Sequence, residues 1–220
     1  MRIVKKMAFL CLWLPGRICA YLYPFRLNEV LSMVKNIFYS GWVSAEFKSV
    51  GERLLIIPPI SLVGGKYISI GNRFCLGKNG TLTAWDRHVD DVFRPKIIIG
   101  NNVSIGTESH ITAINSIKIG NNVLTGKKVT ITDNAHGKAD SEAFSLPPAV
   151  RHLYSPGPVI IEDGVWLGDK VSILPNVVIG RNSIIGANSV VTKNIPPNCV
   201  ACGNPAKVVK TVAFSWRDSA

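Results

Sequence analysis

Aliphatic residues recur at every sixth position through the C-terminal third of the chain. A period of six fits neither an isolated α-helix, with its period of about 3.6, nor a half-buried strand, with its period of about two. It is typical of a hexapeptide β-helix, in which each hexad forms one short strand and one turn, and three hexads close a triangular coil. The aliphatic positions are Ile161, Leu167, Ile173, Ile179, Ile185 and Val191, each followed four residues later by Val165, Val171, Val177, Ser183, Ser189 and Ile195.

The same phase extends back to about residue 52, with two polar interruptions. It is clear from Ile70, resumes at Ile99 after the first interruption, and continues through a two-residue slip to Ile131. The sequence therefore predicts an all-β domain over 52–203, interrupted by loops 85–96 and 137–158. Three hexads per coil place the coils near 70–87, 99–116, 119–136, 161–178 and 179–196. A coil with an irregular repeat precedes these five, and an incomplete coil follows them.

Glycine directly follows the aliphatic residue at several hexads, as at Gly168, Gly180 and Gly186. We expect it there because the backbone turns sharply, and glycine adopts a positive φ without steric cost. Stacked coils are expected to lie about 4.8 Å apart, so that each coil satisfies the backbone groups of the next.

The flanking segments do not follow the repeat. Residues 1–51 predict a helical segment: an apolar run, Met7–Leu14, is preceded by basic residues and broken by Pro15-Gly16-Arg17. Eight apolar residues are too few for a membrane span, which needs about twenty. The pattern favours a helix on the inner membrane face or against the solenoid end over a cleaved signal peptide. Residues 21–47 predict an amphipathic helix with a packing role, and residues 204–220 predict a short tail.

Composition and charge narrow the class of protein. Hydrophobic residues make up 47% of the chain and charged residues 18%, which indicates a folded domain. The net charge of +11 suits acidic partners such as coenzyme phosphates or an anionic membrane. Nucleic acid is not predicted, because no RNA-binding or zinc-finger pattern is present. The five cysteines are odd in number and irregularly spaced, which predicts reduced thiols and a cytoplasmic protein.

Three motifs near the C-terminus carry a family resemblance. They are Gly164-Val165-Trp166-Leu167-Gly168, the run from Ile185 to Lys193, and Gly203-Asn204-Pro205-Ala206-Lys207. Over about 161–210 the chain resembles the hexapeptide-repeat acetyltransferases, which include galactoside, maltose and polysaccharide O-acetyltransferases. The resemblance implies a left-handed parallel β-helix and a homotrimer that binds acetyl-CoA in the clefts between subunits.

The resemblance also implies a catalytic histidine on the loop side of a central coil. The matching segment runs from Thr132 to Gly137 and contains His136. Its hexad position is a corner, where a side chain points outward, and an imidazole with a pKa near about 6.5 can remove a hydroxyl proton at neutral pH. The sequence leaves open whether Asp133, Asn134 or Glu142 orients this ring.

Further residues are candidates for the acceptor site. Asp133 and Asn134 flank the histidine, and His88 and His152 lie in the two loops, so all four are predicted to contact substrate. His110, at another corner, is a weaker candidate. No metal site is predicted, because a three-histidine zinc site on this fold needs histidines close in sequence on adjacent coils, and His110 and His136 are too far apart.

The family resemblance assigns the coenzyme contacts. It implies that five residues contact coenzyme A, and Lys210 is a further basic candidate. Small residues along the coils would let the pantetheine arm lie flat, and lysines would balance the charge of the coenzyme phosphates. Asp169 occupies a place where relatives often have a small polar residue. The five are Trp166, Ala187, Thr192, Lys193 and Lys207.

The sequence therefore predicts an acetyl-CoA-dependent O-acetyltransferase acting on a sugar hydroxyl, in surface polysaccharide or lipopolysaccharide assembly at the cytoplasmic membrane face. Two alternatives remain at this point. One is another acyl transfer on the same fold, to an amino sugar or to serine. The other is a non-catalytic β-helix that serves as a scaffold.

Overall fold

Short parallel strands wind the chain into a three-sided prism. The structure is a computed structural model that describes residues 2–138 and 140–212, without the side chains of residues 2, 3 and 142. The first strands, in chain order, are β1 Ser49–Val50, β2 Leu55–Ile56, β3 Ser61–Val63, β4 Ile68–Ile70, β5 Cys75–Leu76, β6 Thr81–Ala84, β7 Arg87–His88, β8 Asp91–Val92, β9 Lys96–Ile99, β10 Ser104–Ile105, β11 His110–Ala113 and β12 Ser116–Ile119. The others are β13 Leu124–Thr125, β14 Thr130–Thr132, β15 Ala135–His136, β16 Leu153–Tyr154, β17 Val159–Ile161, β18 Trp166–Leu167, β19 Ser172–Ile173, β20 Val178–Ile179, β21 Ile184–Ile185, β22 Val190–Val191, β23 Cys199–Gly203 and β24 Ala206–Thr211.

Three sheets form the faces of the prism, and each coil contributes one strand to each of them. Face A has the order β1-β4-β9-β12-β17-β20, face B has β2-β5-β10-β13-β18-β21-β23-β24, and face C has β3-β6-β11-β14-β19-β22. The strands within a face are parallel, apart from the final β23–β24 pair. The predicted parallel-β architecture with six-residue repeats is thus confirmed.

The core is a set of aliphatic columns that run along the axis. On face A the register stacks Ile70 on Ile99, Ile119, Ile161 and Ile179, all of which are buried. Burial of each such side chain contributes about 1.5–3 kcal/mol relative to exposure. Only the inward positions have to be apolar, and each hexad places one large aliphatic residue inward. The six-residue period of the sequence therefore arises from these columns.

The glycines that follow the aliphatic positions allow neighbouring coils to stack closely and do not adopt a positive φ, which corrects the expectation from sequence. Gly168 and Gly180 have ordinary φ values, and the positive φ falls three residues after the aliphatic position, mostly on asparagine, as at Asn182 and Asn188. A Cβ on Gly100 would lie 2.6 Å from the Gly120 carbonyl oxygen of the next coil. Asparagine is one of the few non-glycine residues that tolerate the left-handed conformation.

Side-chain oxygens satisfy backbone groups where the chain turns between faces. The N–H of Asn72 donates to Asn101 Oδ1 at 2.8 Å, that of Asn101 to Asn121 Oδ1 at 2.9 Å, and that of Asn121 to Asp163 Oδ1 at 2.7 Å. Asp169 does the same for the N–H of Lys127 at 2.8 Å. Turn residues lack strand neighbours, so these side chains replace the missing acceptors.

Two insertions leave the prism, at the positions predicted for loops. The first contains the β7–β8 hairpin, and the second runs from residue 133 to 158 with the short helix α3, Ser141–Phe144, and the antiparallel pair β15–β16. The insertions touch each other, since His88 Nε2 lies 3.1 Å from the Arg151 carbonyl oxygen and His152 Nδ1 lies 2.7 Å from an Asp91 carboxylate oxygen. Short 3₁₀ turns occur at Ser44–Glu46, Gly65–Tyr67 and Pro148–Val150.

Two helices precede the prism, α1 (Arg2–Leu22) and α2 (Phe25–Val43), which confirms a helical N-terminus. Helix α1 continues through Pro15-Gly16-Arg17, where the apolar run ends; a proline inside a helix removes one backbone hydrogen bond and can kink the helix without ending it. The packing role predicted for residues 21–47 holds only at the end of α2. There Val43 joins the core and Ser40 Oγ accepts the N–H of Ile56 at 2.8 Å.

Most of the other described apolar side chains of α1 and α2 are exposed, from Met7 and Phe9 to Phe38 and Trp42, whereas Tyr39 is half-buried against the core. Within the described residues, neither helix alone has the length and hydrophobicity of a membrane span, whereas the two together, bent by 66°, meet both criteria.

The C-terminal segment is more regular than a tail. Residues 206–211 form β24, which pairs antiparallel with β23 and covers the open edge of the last coil on face B. The rest of the predicted tail, residues 213–220, lies outside the described residues.

Candidate active site

The outer side of face C forms a groove of about 690 Å³. Neighbouring strands align its polar side chains in two rows, of which one contains Thr81, His110 and Thr130 and the other contains Thr83, Thr112 and Thr132. Trp85, His88 and His136 are also among the lining residues. We call this the face C groove. Its volume lies within the range of about 300–1,000 Å³ that is usual for small-molecule sites.

His136 stands at the edge of this groove, just after β14 leaves face C. It belongs to β15, which pairs with β16 through Leu153, and its side chain is exposed. Its ring contacts His88 edge to face, with 5.5 Å between ring centroids and an interplanar angle of 77°. Among the groups that the structure describes, which do not include the Glu142 side chain, none makes a hydrogen bond to the His136 ring. The ring is therefore held in place by packing and remains available to a substrate proton.

Two more histidines share the groove. His88 Nε2 donates to the carbonyl oxygen of Arg151, and since a carbonyl can only accept, this nitrogen carries a proton. Partial burial lowers the pKa of His110, because desolvation disfavours the charged imidazolium. The sequence placed His88 in the site and gave His110 a minor role; the register on face C, which aligns His110 with Thr81 and Thr130, is what brings it there.

Asp133 does not contact the groove, which corrects its predicted role in substrate binding. It is 0% exposed, and its two carboxylate oxygens accept the N–H groups of Ile114 and Asn115, each at 2.9 Å. The Asn134 side-chain amide also donates to Asp133, at 3.0 Å. Asp133 thus fastens the turn before His136 to the preceding coil. Asn134 lines the groove, so its predicted contact with substrate stays a prediction, and the side chain of Glu142 lies outside the described structure.

His152 is the second predicted substrate contact that lies elsewhere. Its Nδ1 is 2.7 Å from Asp91, and it borders a separate cavity of about 270 Å³ together with Lys138 and Arg151. Of the residues next to His152, Arg151 contacts His88 through its carbonyl oxygen and Leu153 lines the groove.

The residues predicted to contact coenzyme A are exposed but spread over two faces. Trp166, 49% exposed, lies on β18 of face B, and Lys207 lies on β24 of the same face. Ala187 lies in the turn after β21, whereas Thr192 and Lys193 follow β22 at the end of face C. Trp166 and His136 therefore belong to different faces of one prism.

Comparison with known proteins decides the family. The family model for the bacterial transferase hexapeptide, with six repeats, matches residues 158–193, and that for the hexapeptide repeat of succinyl-transferase matches residues 96–132. The chain is 40% identical over 147 residues to a putative lipopolysaccharide biosynthesis O-acetyl transferase of Escherichia coli strain K12, covering 65% of this chain and 71% of that protein. It is 32% identical over 195 residues to the galactoside O-acetyltransferase of the same strain, covering 86% and 72%.

This chain belongs to the hexapeptide-repeat acetyltransferase family. It is an acetyltransferase, as the sequence predicts. Among solved structures, this acetyltransferase resembles a serine-to-cysteine mutant of the N-acyltransferase AntD from Bacillus cereus, in complex with dTDP-4-amino-4,6-dideoxyglucose and coenzyme A. The TM-score is 0.64 and the identity 21%, over 80% of this chain and 89% of that one. At that identity the likeness concerns the fold.

Thr83 and Trp85 are among the groove residues of this acetyltransferase that were missed in the sequence. Thr83 stands just before the stretch assigned to the first loop and Trp85 is its first residue, yet the outward alternation of β6 at 81 and 83 continues to 85, one residue past the strand, and all three line the groove. The alternation of strand side chains, extended two residues beyond the hexad, is the signal that would have found them.

Proposed function

We propose that this acetyltransferase transfers the acetyl group of acetyl-CoA to a sugar hydroxyl, with His136 as the general base. The observation that carries the proposal is the position of the His136 ring, exposed at the edge of a groove lined by hydroxyl groups and engaged by no described hydrogen bond. The relatives named as O-acetyltransferases support the same chemistry.

The reaction is a direct transfer without an acyl-enzyme. The neutral His136 imidazole takes the proton of the acceptor hydroxyl as its oxygen attacks the thioester carbonyl carbon. The tetrahedral intermediate collapses with cleavage of the carbon–sulfur bond, and the coenzyme A thiolate takes the proton from the imidazolium. A backbone N–H group that donates to the developing oxyanion would lower the barrier further.

A homotrimer accounts for the distribution of the coenzyme contacts. His136 stands at the edge of the face C groove and Trp166 on face B, so face C of one subunit set against face B of the next would place the two residues on opposite walls of one cleft. We infer that acetyl-CoA binds in this cleft, with Trp166, Ala187, Thr192 and Lys193 along its pantetheine arm and Lys207 at its phosphates. The left-handed winding of the prism is part of the same inference and rests on family membership.

The proposal extends to the N-terminal helices, which would hold the enzyme at the inner face of the membrane. Between residues 4 and 43 the basic side chains are Lys5, Lys6, Arg17, Arg26 and Lys35, and Glu29 is acidic. Exposed apolar residues interspersed with basic ones suit an anionic lipid surface. This location fits an acceptor in lipid-linked or nucleotide-linked glycan assembly, and the relative named for lipopolysaccharide biosynthesis supports that context.

The test is release of free coenzyme A thiol in the presence of neutral glycosides, amino sugars and serine. Wild-type enzyme should turn over with a neutral glycoside, and His136→Ala should lower kcat/KM by about 10²–10⁴-fold, the usual contribution of a general base. His136→Ala with activity close to wild type would refute the assigned base. Preference for an amino sugar would favour N-acylation, the activity named for AntD.

Subunit mixing tests the shared site with the same assay. His136→Ala and Trp166→Ala are each expected to be weak alone, and mixed trimers should regain activity because one cleft in them can combine a wild-type face C with a wild-type face B. Mixed trimers without any gain would place each complete site within one subunit.

A further inference from the structure

A buried hydroxyl without a partner lies in the face C groove. Thr83 is 4% exposed, and its Oγ1 forms no hydrogen bond to any of the residues that the structure describes. Leaving a buried hydroxyl unsatisfied is unfavourable, so proteins seldom retain one without use. Rotation about a single side-chain bond exchanges Oγ1 with the methyl group, and threonine has more than one accessible rotamer. Thr83 can therefore offer a donor and an acceptor to a molecule seated in the groove.

An aromatic ring lies beside this hydroxyl. Trp85 follows Thr83 by two positions on the same face, a separation of about 6.6 Å along an extended strand, and the ring is 42% exposed. An indole ring has a broad apolar face that packs against the C–H groups of a sugar. An apolar platform next to a hydroxyl that can both donate and accept matches the two sides of a pyranose ring.

The histidines are the only titratable side chains among the described residues that line the groove. Among its described lining residues there is no carboxylate, lysine or arginine. Two carboxylates stand next to lining residues in the chain, and both are engaged. Asp133 is fully buried and accepts two backbone N–H groups. Asp86, which follows Trp85, accepts the Tyr67 hydroxyl at 2.9 Å and pairs with Lys66 at 3.1 Å. The lowered pKa of His110 keeps that ring neutral. A protonated amine would therefore find no counter-ion here, although the chain as a whole is strongly charged.

We propose that Thr83 and Trp85 form the acceptor subsite and select an uncharged sugar ring over an amino sugar or serine. Trp85 packs against the C–H face of the sugar, and the Thr83 hydroxyl makes a hydrogen bond to one of its non-reacting hydroxyls. His136 at the groove edge then faces the hydroxyl to be acetylated. This assignment rests on the proposed O-acetyl transfer and adds the residues that determine specificity.

The experiment compares Thr83→Val, which keeps the shape and removes the hydroxyl, with Thr83→Ser, which keeps the hydroxyl. With the best neutral methyl glycoside of the panel, Thr83→Val should raise the KM for the glycoside about 3–10-fold, as expected for one lost hydrogen bond. The KM for acetyl-CoA should not change, and Thr83→Ser should restore the KM for the glycoside. Trp85→Leu should raise the same KM by at least as much.

Ser69→Ala is the matched control, because Ser69 also stands at an outward strand position of the same coil, on face A. It should leave both KM values unchanged. A Thr83→Val enzyme with wild-type KM for the glycoside would overturn the subsite, and so would a wild-type enzyme that prefers glucosamine or serine to every neutral glycoside.

A failure of the proposed function gives a different result. In that case wild-type enzyme releases no thiol with any acceptor, and saturation-transfer NMR with the same methyl glycosides decides the subsite alone. Sugar signals from wild type that disappear with Thr83→Val and return with Thr83→Ser would support it, and any other pattern would refute it.

Discussion

Replacement of Asp133 tests whether a buried carboxylate holds the turn before His136 in place. In Asp133→Ala the N–H groups of Ile114 and Asn115 lose their acceptors. The first belongs to a buried residue and should cost about 1–3 kcal/mol, whereas the second is partly exposed and should cost less, because water can replace the carboxylate. Removal of a buried charge offsets part of this loss. We therefore expect the free energy of unfolding to fall by about 1–3 kcal/mol, and Asp133→Asn, which keeps one oxygen, to lose about half as much.

Urea unfolding followed by circular dichroism measures the loss, and thiol release under folding conditions measures activity. Because Asp133 lies three residues before His136, a displaced turn should also lower kcat, by about 10²-fold for a shift near 1 Å. Asp163→Ala is the matched control, since its carboxylate accepts the N–H of Asn121 in the same way but at an exposed turn, and its cost should stay below about 1 kcal/mol. An Asp133→Ala protein as stable and as active as wild type would refute the reasoning.

Three further predictions concern the stacking, the turns and the N-terminus. Gly100→Ala should destabilise the fold by about 1–3 kcal/mol, because its Cβ would meet the Gly120 carbonyl. Gly41→Ala is the control: it has open space around it in α2 and should be neutral or stabilising. Equal urea midpoints for the two variants would show that Gly100 is not required for close stacking of the coils. The N–H of Asn121 lowers the pKa of Asp163, so the ionised carboxylate stabilises the fold above its unfolded pKa of about 4. This stabilisation is lost as the pH falls through the lower pKa of the folded state. In acid unfolding curves, Asp163→Asn should therefore lose less stability than wild type between about pH 5 and about pH 2. Deletion of residues 1–20 should abolish co-flotation with phosphatidylglycerol vesicles, and Lys5→Glu with Lys6→Glu should weaken it; binding that persists in both, or that equals binding to phosphatidylcholine, would exclude the basic helix as the anchor.

Several parts of the site could be read from the chain because they depend on local pattern. His136, Asn134 and His88 were all expected near the acceptor, and the structure brings the three to one groove. Asp133 and His152 could not be placed in the same way. Their positions depend on which backbone N–H groups and which carboxylate of a distant loop lie next to them, and those neighbours are 18 to 61 residues away in the chain.

The sequence by itself determined the architecture of this protein, because a prism of stacked coils needs one inward aliphatic residue per hexad, and this requirement is visible as a period of six. It also determined where the chain leaves the prism, since the period stops there. Only the tertiary structure decided that Gly100 and its equivalents serve close stacking, that most of α1 and α2 remains exposed, and that Thr83 and Trp85 line the same groove as His136. These features depend on contacts between successive coils and between the two insertions. Such contacts form only when the strands of successive coils are aligned with one another in the folded prism.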